Sequence, residues 1–117
     1  MSKRDVTGRC LCGAVSLRAR TDARIAHECH CSQCRRQSGH VWAYVTLPRA
    51  DVVFDGPVSR HAHTDAAERG FCPTCGSFLF WAKNGEDAID VSAGSLDAPT
   101  GLTLGAPSQW DSRGDYY

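Results

Sequence analysis

Apolar and polar residues alternate in short runs along much of the chain, which is the pattern of half-buried β-strands. The clearest run is Ala14–Arg20, where Val15, Leu17 and Ala19 alternate with polar residues. Turn-forming residues, among them eleven glycines and five prolines, separate such runs. The predicted strands are Ala14–Arg20, Val41–Leu47, Val52–Phe54, Ser59–Thr64, Ser77–Ala82, Ala88–Ala93 and Leu102–Leu104.

Helical periodicity is weak along the chain. The best helical candidate is the short segment Ser32–Ser38, with Ser32 as its N-cap and Gly39 as the residue that ends it. Many short strands with one small helix indicate an all-β fold of short antiparallel strands. The chain has 117 residues with neither an internal repeat nor a long linker, so residues 1–117 are expected to form a single domain.

Net charge and hydropathy exclude several classes of protein. Thirteen Lys and Arg residues balance thirteen Asp and Glu residues, so the chain lacks the basic surface of a nucleic-acid-binding protein. No apolar run approaches the roughly 20 residues of a transmembrane helix, and no membrane association is expected. The segment Met1–Asp5 lacks the apolar stretch of a signal peptide, which favours a cytoplasmic location.

Seven cysteines are the most unusual feature of the composition. An odd number rules out complete pairing into internal disulfides, and a reducing cytosol keeps thiols free. Cysteines in such a protein are typically metal ligands or catalytic thiols. They fall into three clusters, which are Cys10 with Cys12, Cys29 with Cys31 and Cys34, and Cys72 with Cys75.

The first and last clusters together predict a four-cysteine metal site. The turn Cys72–Gly76 can direct its two sulfurs at one ion, because Gly76 is free to adopt a left-handed backbone. Cys10 and Cys12 project on one face if their segment is extended. Four thiolates satisfy a structural tetrahedral zinc that would join distant parts of a small chain. The alternatives are a redox disulfide within the Cys72–Gly76 turn and buried apolar thiols in the first cluster.

The middle cluster provides only three cysteines. Cys29 and Cys31 would share a strand face, and Cys34 would return from the following turn. Three protein ligands and one exchangeable position are typical of catalytic zinc, and a substrate thiol is a suitable fourth ligand. The alternative is that His27 closes the site as a fourth ligand and makes it structural. His30 is expected to point to the opposite face.

Zinc binding would change the charge of the protein. Seven thiolates and two Zn²⁺ ions bring the formal charge from 0 to about −3. The middle cluster would carry about −1 of this and would repel an anionic thiol. Arg35 and Arg36 follow Cys34 directly and are candidate ligands for substrate carboxylates. The alternative is that both arginines are simply solvated.

Four motifs of the sequence resemble one known family. They are Gly8–Val15, Cys29–Gly39, Arg69–Ser77 and Ala93–Asp97. In this order and spacing they resemble the glutathione-dependent formaldehyde-activating enzyme family, also called the centromere-protein-V domain. The resemblance covers most of the chain, and three cysteine motifs in the right order make it highly specific.

The resemblance implies a small all-β zinc fold, the β-tent, with two zinc ions per chain. The ligands it implies are Cys10, Cys12, Cys72 and Cys75 for a structural zinc, and Cys29, Cys31 and Cys34 for a catalytic zinc. It also implies a carbon–sulfur lyase that condenses formaldehyde with glutathione to S-(hydroxymethyl)glutathione. The expected small-molecule partners are therefore glutathione or a related thiol, and formaldehyde or a related aldehyde.

Two further features concern the substrate pocket. Trp42 and Phe71 are candidate pocket walls, although each is better suited to the core. Many family members are expected to carry a histidine before a Ser-Lys or Ser-Arg pair near the end, whereas Gln109–Arg113 contains none. If this segment shapes the pocket, the substrate or the efficiency is expected to differ.

Two other functions compete with the lyase. One is a non-catalytic zinc-binding interaction module of the same fold, which a second zinc with four protein ligands would favour. The other is a redox protein that exchanges disulfides among Cys29, Cys31 and Cys34, which reversible oxidation without metal would favour. The number of bound zinc ions and their ligands distinguishes these functions from catalysis.

Overall fold

The computed structural model describes residues 3–117. Most of the regular secondary structure in this part of the chain is β-strand. The all-β fold is confirmed, and each predicted strand is present close to its expected position. The strands are β1 Arg4–Arg9, β2 Ser16–Thr21, β3 Ile25–Cys29, β4 Trp42–Pro48, β5 Val52–Asp55, β6 Ser59–Thr64, β7 Ala67–Phe71, β8 Phe78–Lys83, β9 Ala88–Ser92 and β10 Thr103–Ser108.

Three of these strands, β1, β3 and β7, do not follow from the sequence pattern. Strand β7 shows the reason, since it contains Glu68, Arg69 and Gly70 and has no apolar alternation. Its middle is nevertheless buried because the ring of Phe80 on β8 packs over it. A Cβ atom at Gly70 would lie 2.0 Å from that ring, so only glycine fits there. Tertiary packing, rather than local preference, determines this strand.

The strands form two sheets. A three-stranded antiparallel sheet has the order β1-β2-β5, and a seven-stranded sheet has the order β10-β3-β4-β9-β8-β7-β6. The prediction of purely antiparallel strands is wrong at one edge, where β10 runs parallel to β3. Most of the other strands lie between β3 and β10 in the sequence. The two parallel strands are therefore joined by a long connection rather than a hairpin. This edge carries Cys29 and the C-terminal residues.

The core lies between the two sheets. Leu17 and Ala19 from the small sheet pack with Val45, Phe80 and Val91 from the large sheet, and all five are almost fully buried. The alternation in Ala14–Arg20 therefore identifies the inward face of β2 correctly. Each buried Val, Leu or Phe side chain contributes about 1.5–3 kcal/mol to stability, which makes this the main apolar contribution to the fold.

The helix α1 spans Ser32–Ser38, as predicted, and Gly39 ends it in a left-handed conformation with a φ of 90°. Its N-cap, however, is Cys31 rather than Ser32. Cys31 has an extended backbone, and its sulfur accepts a hydrogen bond from the backbone N–H of Cys34 at 3.4 Å. The thiol thus takes the position that a serine hydroxyl usually occupies. In residues 3–117, every helix is too short or too polar to cross a membrane.

Candidate metal centres and active site

The first metal centre is formed by two turns. Cys10 and Cys12 lie between β1 and β2, and Cys72 and Cys75 lie between β7 and β8, with all four Sγ atoms within 4.8 Å of one another. The Sγ atoms of Cys10 and Cys12 are 3.6 Å apart, and those of Cys12 and Cys72 are 3.8 Å apart. Zinc–sulfur bonds of about 2.3 Å in a tetrahedron place sulfurs about 3.8 Å apart. The four thiols therefore fit a zinc ion.

The geometry of the first turn differs from the prediction. Cys10 and Cys12 are not in an extended segment, because β1 ends at Arg9 and the chain then folds back on itself. The backbone N–H of Cys10 donates to the carbonyl of Val15 at 2.9 Å, and that of Gly13 donates to the carbonyl of Cys10 at 3.2 Å. A tight turn, rather than the period of a strand, brings both sulfurs to one side.

The second turn has the conformation that its sequence predicts. The backbone N–H of Cys72 donates to the carbonyl of Ser77, and Gly76 has a φ of 80°, which side-chain-bearing residues rarely adopt. The two turns are also joined directly, since the N–H of Leu11 donates to the hydroxyl of Ser77 at 3.0 Å. The first turn joins two strands of the small sheet, and the second joins two strands of the large sheet. This centre therefore links the two sheets at one end.

The thiols of the first centre ionise unequally without metal. Hydrogen bonds from the hydroxyl and backbone of Ser77 lower the pKa of Cys75 to about 5. At Cys12 the N–H of Ala14 favours the thiolate, but burial and the neighbouring thiols outweigh it and raise the pKa to about 11. Cys75 is thus available to an incoming cation as a thiolate, whereas Cys12 must release a proton when the metal binds.

The second metal centre is built from consecutive elements. Cys29 is the last residue of β3, Cys31 caps α1, and Cys34 lies in the first turn of α1. The expectation that Cys29 and Cys31 share a strand face is wrong, because the strand ends at Cys29. The three Sγ atoms still lie within 4.8 Å of one another, and the described residues add no other ligand atom to the group. Three soft thiolate donors fit zinc with one coordination position left for another ligand.

Burial and mutual repulsion control the thiols of the second centre. Burial raises the pKa of Cys34 well above its usual range, and its two neighbouring thiols raise it further. Burial also raises the pKa of Cys29. At Cys31 burial is outweighed by the N–H of Cys34 and by thiol hydrogen bonds, which lower the pKa. Cys31 is therefore the first thiolate of this centre.

The two nearby histidines do not complete the second centre. The ring of His27 packs against that of Tyr44 with centroids 5.5 Å apart, and it is not part of the ligand group. His30 is also outside the group; it is buried, and its Nδ1 lies 2.7 Å from the Oη of Tyr117. The structure therefore gives no support to a fourth protein ligand from His27.

The predicted substrate arginines lie on α1 but differ in their surroundings. Arg35 is half-buried, and its Nε donates a hydrogen bond to the carbonyl of Ser112 at 3.3 Å. The two terminal nitrogens of its guanidinium do not take part in this bond. Arg36 is exposed and has no hydrogen bond to another part of residues 3–117. Both remain candidates for a carboxylate, with Arg36 the less constrained of the two.

A cavity of about 710 Å³ lies beside the first centre and the end of α1. Trp42 lines it, as expected, but Phe71 does not. Trp42 is also buried, and its indole N–H donates to the hydroxyl of Ser92 at 2.8 Å, so it belongs to both the wall and the packed interior. The three sulfurs of the second centre do not line the cavity. Its polar and charged walls come from Arg9, Gln37, Ser38, Ser77, Ser92, Ser95 and Asp97.

Tyr44 is a candidate site residue that sequence reasoning missed. Strand pairing places Trp42 opposite Cys29 and Tyr44 opposite His27, so all four side chains share one face of the large sheet. Burial raises the pKa of the Tyr44 hydroxyl, and the charges of Asp90 and of the cysteines raise it further. The hydroxyl therefore stays protonated at neutral pH. Only the register of β3 and β4 reveals this placement.

Arg69 is the second residue that sequence reasoning missed. Only 7% of its surface is exposed, and its guanidinium donates a hydrogen bond to the side-chain oxygen of Gln33 on α1. Within residues 3–117 no carboxylate lies within ion-pair distance of it. A buried cation beside this helix partly offsets the negative charge that three thiolates would bring. In the sequence, Arg69 stands out only as part of the family motif that contains the Cys72–Gly76 turn.

Comparison with known proteins shows the family of this chain. The family described as glutathione-dependent formaldehyde-activating enzyme matches residues 5–112. The chain belongs to the glutathione-dependent formaldehyde-activating enzyme family. A curated protein of Schizosaccharomyces pombe, described as an uncharacterized lyase, is 30% identical over 112 residues, which are 94% of this chain and 82% of that protein. The resemblance that the cysteine motifs indicate is thereby confirmed.

A solved structure shares the fold of this family member. It is the crystal structure of a Rhodobacter sphaeroides protein from a structural genomics programme, with a TM-score of 0.66 and 24% sequence identity. The match covers 79% of this chain and 88% of that chain. At this identity the likeness concerns the fold alone.

Proposed function

We propose that the protein is a zinc-dependent carbon–sulfur lyase that condenses formaldehyde, or a related aldehyde, with glutathione or a related thiol. The observation that carries this proposal is the group formed by Cys29, Cys31 and Cys34, to which residues 3–117 add no fourth ligand. Three-ligand zinc is the arrangement of catalytic sites, whereas four-ligand zinc is structural. The family assignment and the lyase description of the Schizosaccharomyces pombe relative support the reaction class.

Zinc held by these three thiolates would supply a Lewis acid that keeps a substrate thiol deprotonated at neutral pH. In the condensation, the substrate sulfur forms a bond to the carbonyl carbon, and the carbonyl π electrons move to oxygen. That oxygen takes up a proton, which balances the proton that the thiol released. Formaldehyde is strongly electrophilic, so the chain's main contribution is to hold the two reactants together.

The residues around the second centre can perform the remaining tasks. Arg36, with the terminal nitrogens of Arg35, would bind the substrate carboxylates through charge-assisted hydrogen bonds. Tyr44 is protonated and lies on the same sheet face as Cys29, so it would donate a hydrogen bond to the developing alkoxide.

The test combines metal stoichiometry with the rate of formaldehyde–glutathione exchange. We expect two zinc ions per chain and an exchange rate in zinc-loaded wild-type protein well above that of Cys31→Ser. An equal rate in the two proteins would rule out the proposed activity. One zinc per chain, or two zinc ions that both have four protein ligands, would instead favour the zinc-binding interaction module.

A further inference from the structure

The C-terminal segment, residues 109–117, folds back over the loop that carries the second metal centre. It follows β10, whose last residue Ser108 is paired with Cys29, and it begins with a short 3₁₀ turn, Trp110–Ser112. The Oη of Tyr117 then lies 2.7 Å from Nδ1 of His30. The end of the segment therefore reaches the residue between two of the proposed ligands.

The backbone and the ring of His30 are both held by C-terminal residues. Its backbone N–H donates to the carbonyl of Ser108 at 3.0 Å. The edge of its ring meets Trp110 with centroids 5.0 Å apart, and its ring also packs against Tyr117 at 5.4 Å. With only 4% of its surface exposed, His30 cannot exchange these contacts for water.

The hydrogen bond to Tyr117 has an unusual importance for His30. The other ring nitrogen, Nε2, is buried and has no hydrogen-bond partner within residues 3–117. The nearest carboxylate oxygen, on Glu28, is 3.7 Å away, which is too long for a direct hydrogen bond. Without Tyr117 neither ring nitrogen would be satisfied in a buried position, and buried polar groups without partners are costly.

The same segment also contacts the helix of the second centre. The Nε of Arg35, the residue after Cys34, donates to the carbonyl of Ser112 at 3.3 Å. The loop and the helix that supply the three thiols are thus both attached to the C-terminal segment. Contacts of this kind orient metal ligands and strongly affect how tightly a metal is held.

We propose that Tyr117 is a positioning residue of the second metal centre, which acts through His30 to hold the Cys29–Cys31 loop in its metal-binding conformation. The proposal rests on the metal binding assigned to the three cysteines under the proposed function, but not on the identity of the thiol or aldehyde. A loop fixed before the metal arrives loses less entropy on binding and releases the metal more slowly.

The chain offers a matched pair of variants. Tyr117→Phe removes one hydroxyl and keeps the ring, and Tyr116→Phe does the same at a neighbouring residue. The hydroxyl of Tyr116 also lies 2.7 Å from a histidine nitrogen, but that histidine is His40, which is exposed and outside the ligand loop. A difference between the variants therefore reports on His30 rather than on the loss of a phenol.

The experiment follows metal release from full-length protein loaded with zinc, with a chromogenic chelator as the probe. We expect Tyr117→Phe to release the metal of the three-cysteine centre about tenfold faster than wild type, and the metal of the four-cysteine centre at the same rate. Tyr116→Phe is expected to match wild type in both phases. Cobalt-loaded Tyr117→Phe is expected to show a changed thiolate charge-transfer band, and its melting temperature tests whether the fold is intact.

Each result distinguishes the inference from the proposed function. Two metal ions per chain with equal release from wild type and Tyr117→Phe would overturn the positioning role and leave the lyase proposal standing. Equally faster metal release from both tyrosine variants would also overturn the positioning role. The C-terminal segment would then only shield the centre from solvent, without acting through His30. A single metal ion in wild type would overturn both proposals together.

Discussion

The two cysteine centres use similar chemistry in opposite structural settings. In the first centre, Cys12 and Cys72 are 60 residues apart and lie in turns that belong to different sheets. In the second centre, Cys31 and Cys34 are three residues apart and belong to one helix start. A metal in the first centre therefore stabilises the tertiary structure, whereas a metal in the second depends on structure that is already formed.

The number of ligands and the charge follow the same division. The first centre has four thiols and would give a closed complex, while the second has three and leaves a position for another ligand. The second complex would also carry less negative charge, and Arg35, Arg36 and the buried Arg69 lie on or against its helix. A centre closed by four thiolates suits a structural role, and one with a free coordination position on a helix that carries Arg35 and Arg36 suits an anionic substrate.

The largest difference is expected when one thiol is removed from each centre. Cys72→Ser removes a fully buried ligand that links the two sheets, so we expect the free energy of unfolding to fall by about 5 kcal/mol, comparable to the whole stability of a small domain. Denaturant unfolding monitored by circular dichroism measures this loss. Cys34→Ser is the control, and an equally large loss there would remove the distinction between the centres.

The next largest effect concerns the activity of Cys31→Ser. We expect the rate to fall about 100-fold or more, since one of three ligands is lost, while the melting temperature stays within about 2 °C. The fold is retained because serine is a preferred N-cap and can accept the hydrogen bond from Cys34. Ser32→Ala, one residue away and not the cap, should leave both quantities unchanged. A lower melting temperature in Ser32→Ala would contradict the capping assignment.

An intermediate effect is expected for the reactivity of the metal-free thiols. Folding lowers the pKa of Cys75 from 9.0 to about 5, so its ionisation stabilises the metal-free fold above pH 9.0, and this contribution is lost as the pH falls through about 5. At about pH 5.5 we expect iodoacetamide to modify Cys75 about tenfold faster than Cys34, whose pKa is raised by burial. Peptide mass spectrometry measures both rates. Faster modification of Cys34 would reverse the assigned order.

The smallest effect is expected for the substrate carboxylate. Arg36→Ala should raise KM for glutathione about fivefold and leave kcat unchanged, because an exposed charge-assisted contact contributes only about 1 kcal/mol. The same variant should not change KM for 2-mercaptoethanol, which has no carboxylate. Arg18→Ala, an exposed arginine on the small sheet, is the matched control. An equal KM increase for both thiols would exclude carboxylate binding by Arg36.

The fold could be predicted where a strand has one buried face. Alternation identified β2 because Leu17 and Ala19 are buried side chains of this strand and Val15, which directly precedes it, is buried as well. Strand β7 could not be predicted, since its burial depends on Phe80 covering Gly70 from another strand. The N-cap was misplaced by one residue because cysteine is an uncommon cap. Here the Cys31 sulfur accepts the capping bond and also belongs to the three-cysteine group.

The sequence by itself determined the chemistry of the two centres: the number of thiols, their grouping, and the glycine after Cys75 that allows its turn. These features are local, and the ligand preferences of zinc make them readable from residue type and spacing. Only the tertiary structure decided what surrounds the second centre. Tyr44 and Arg69 reach it through strand register and packing, and Tyr117 through the parallel pairing of β10 with β3. Contacts between residues distant along the chain leave no periodic trace in the sequence, because they depend on how the elements pack rather than on local preference.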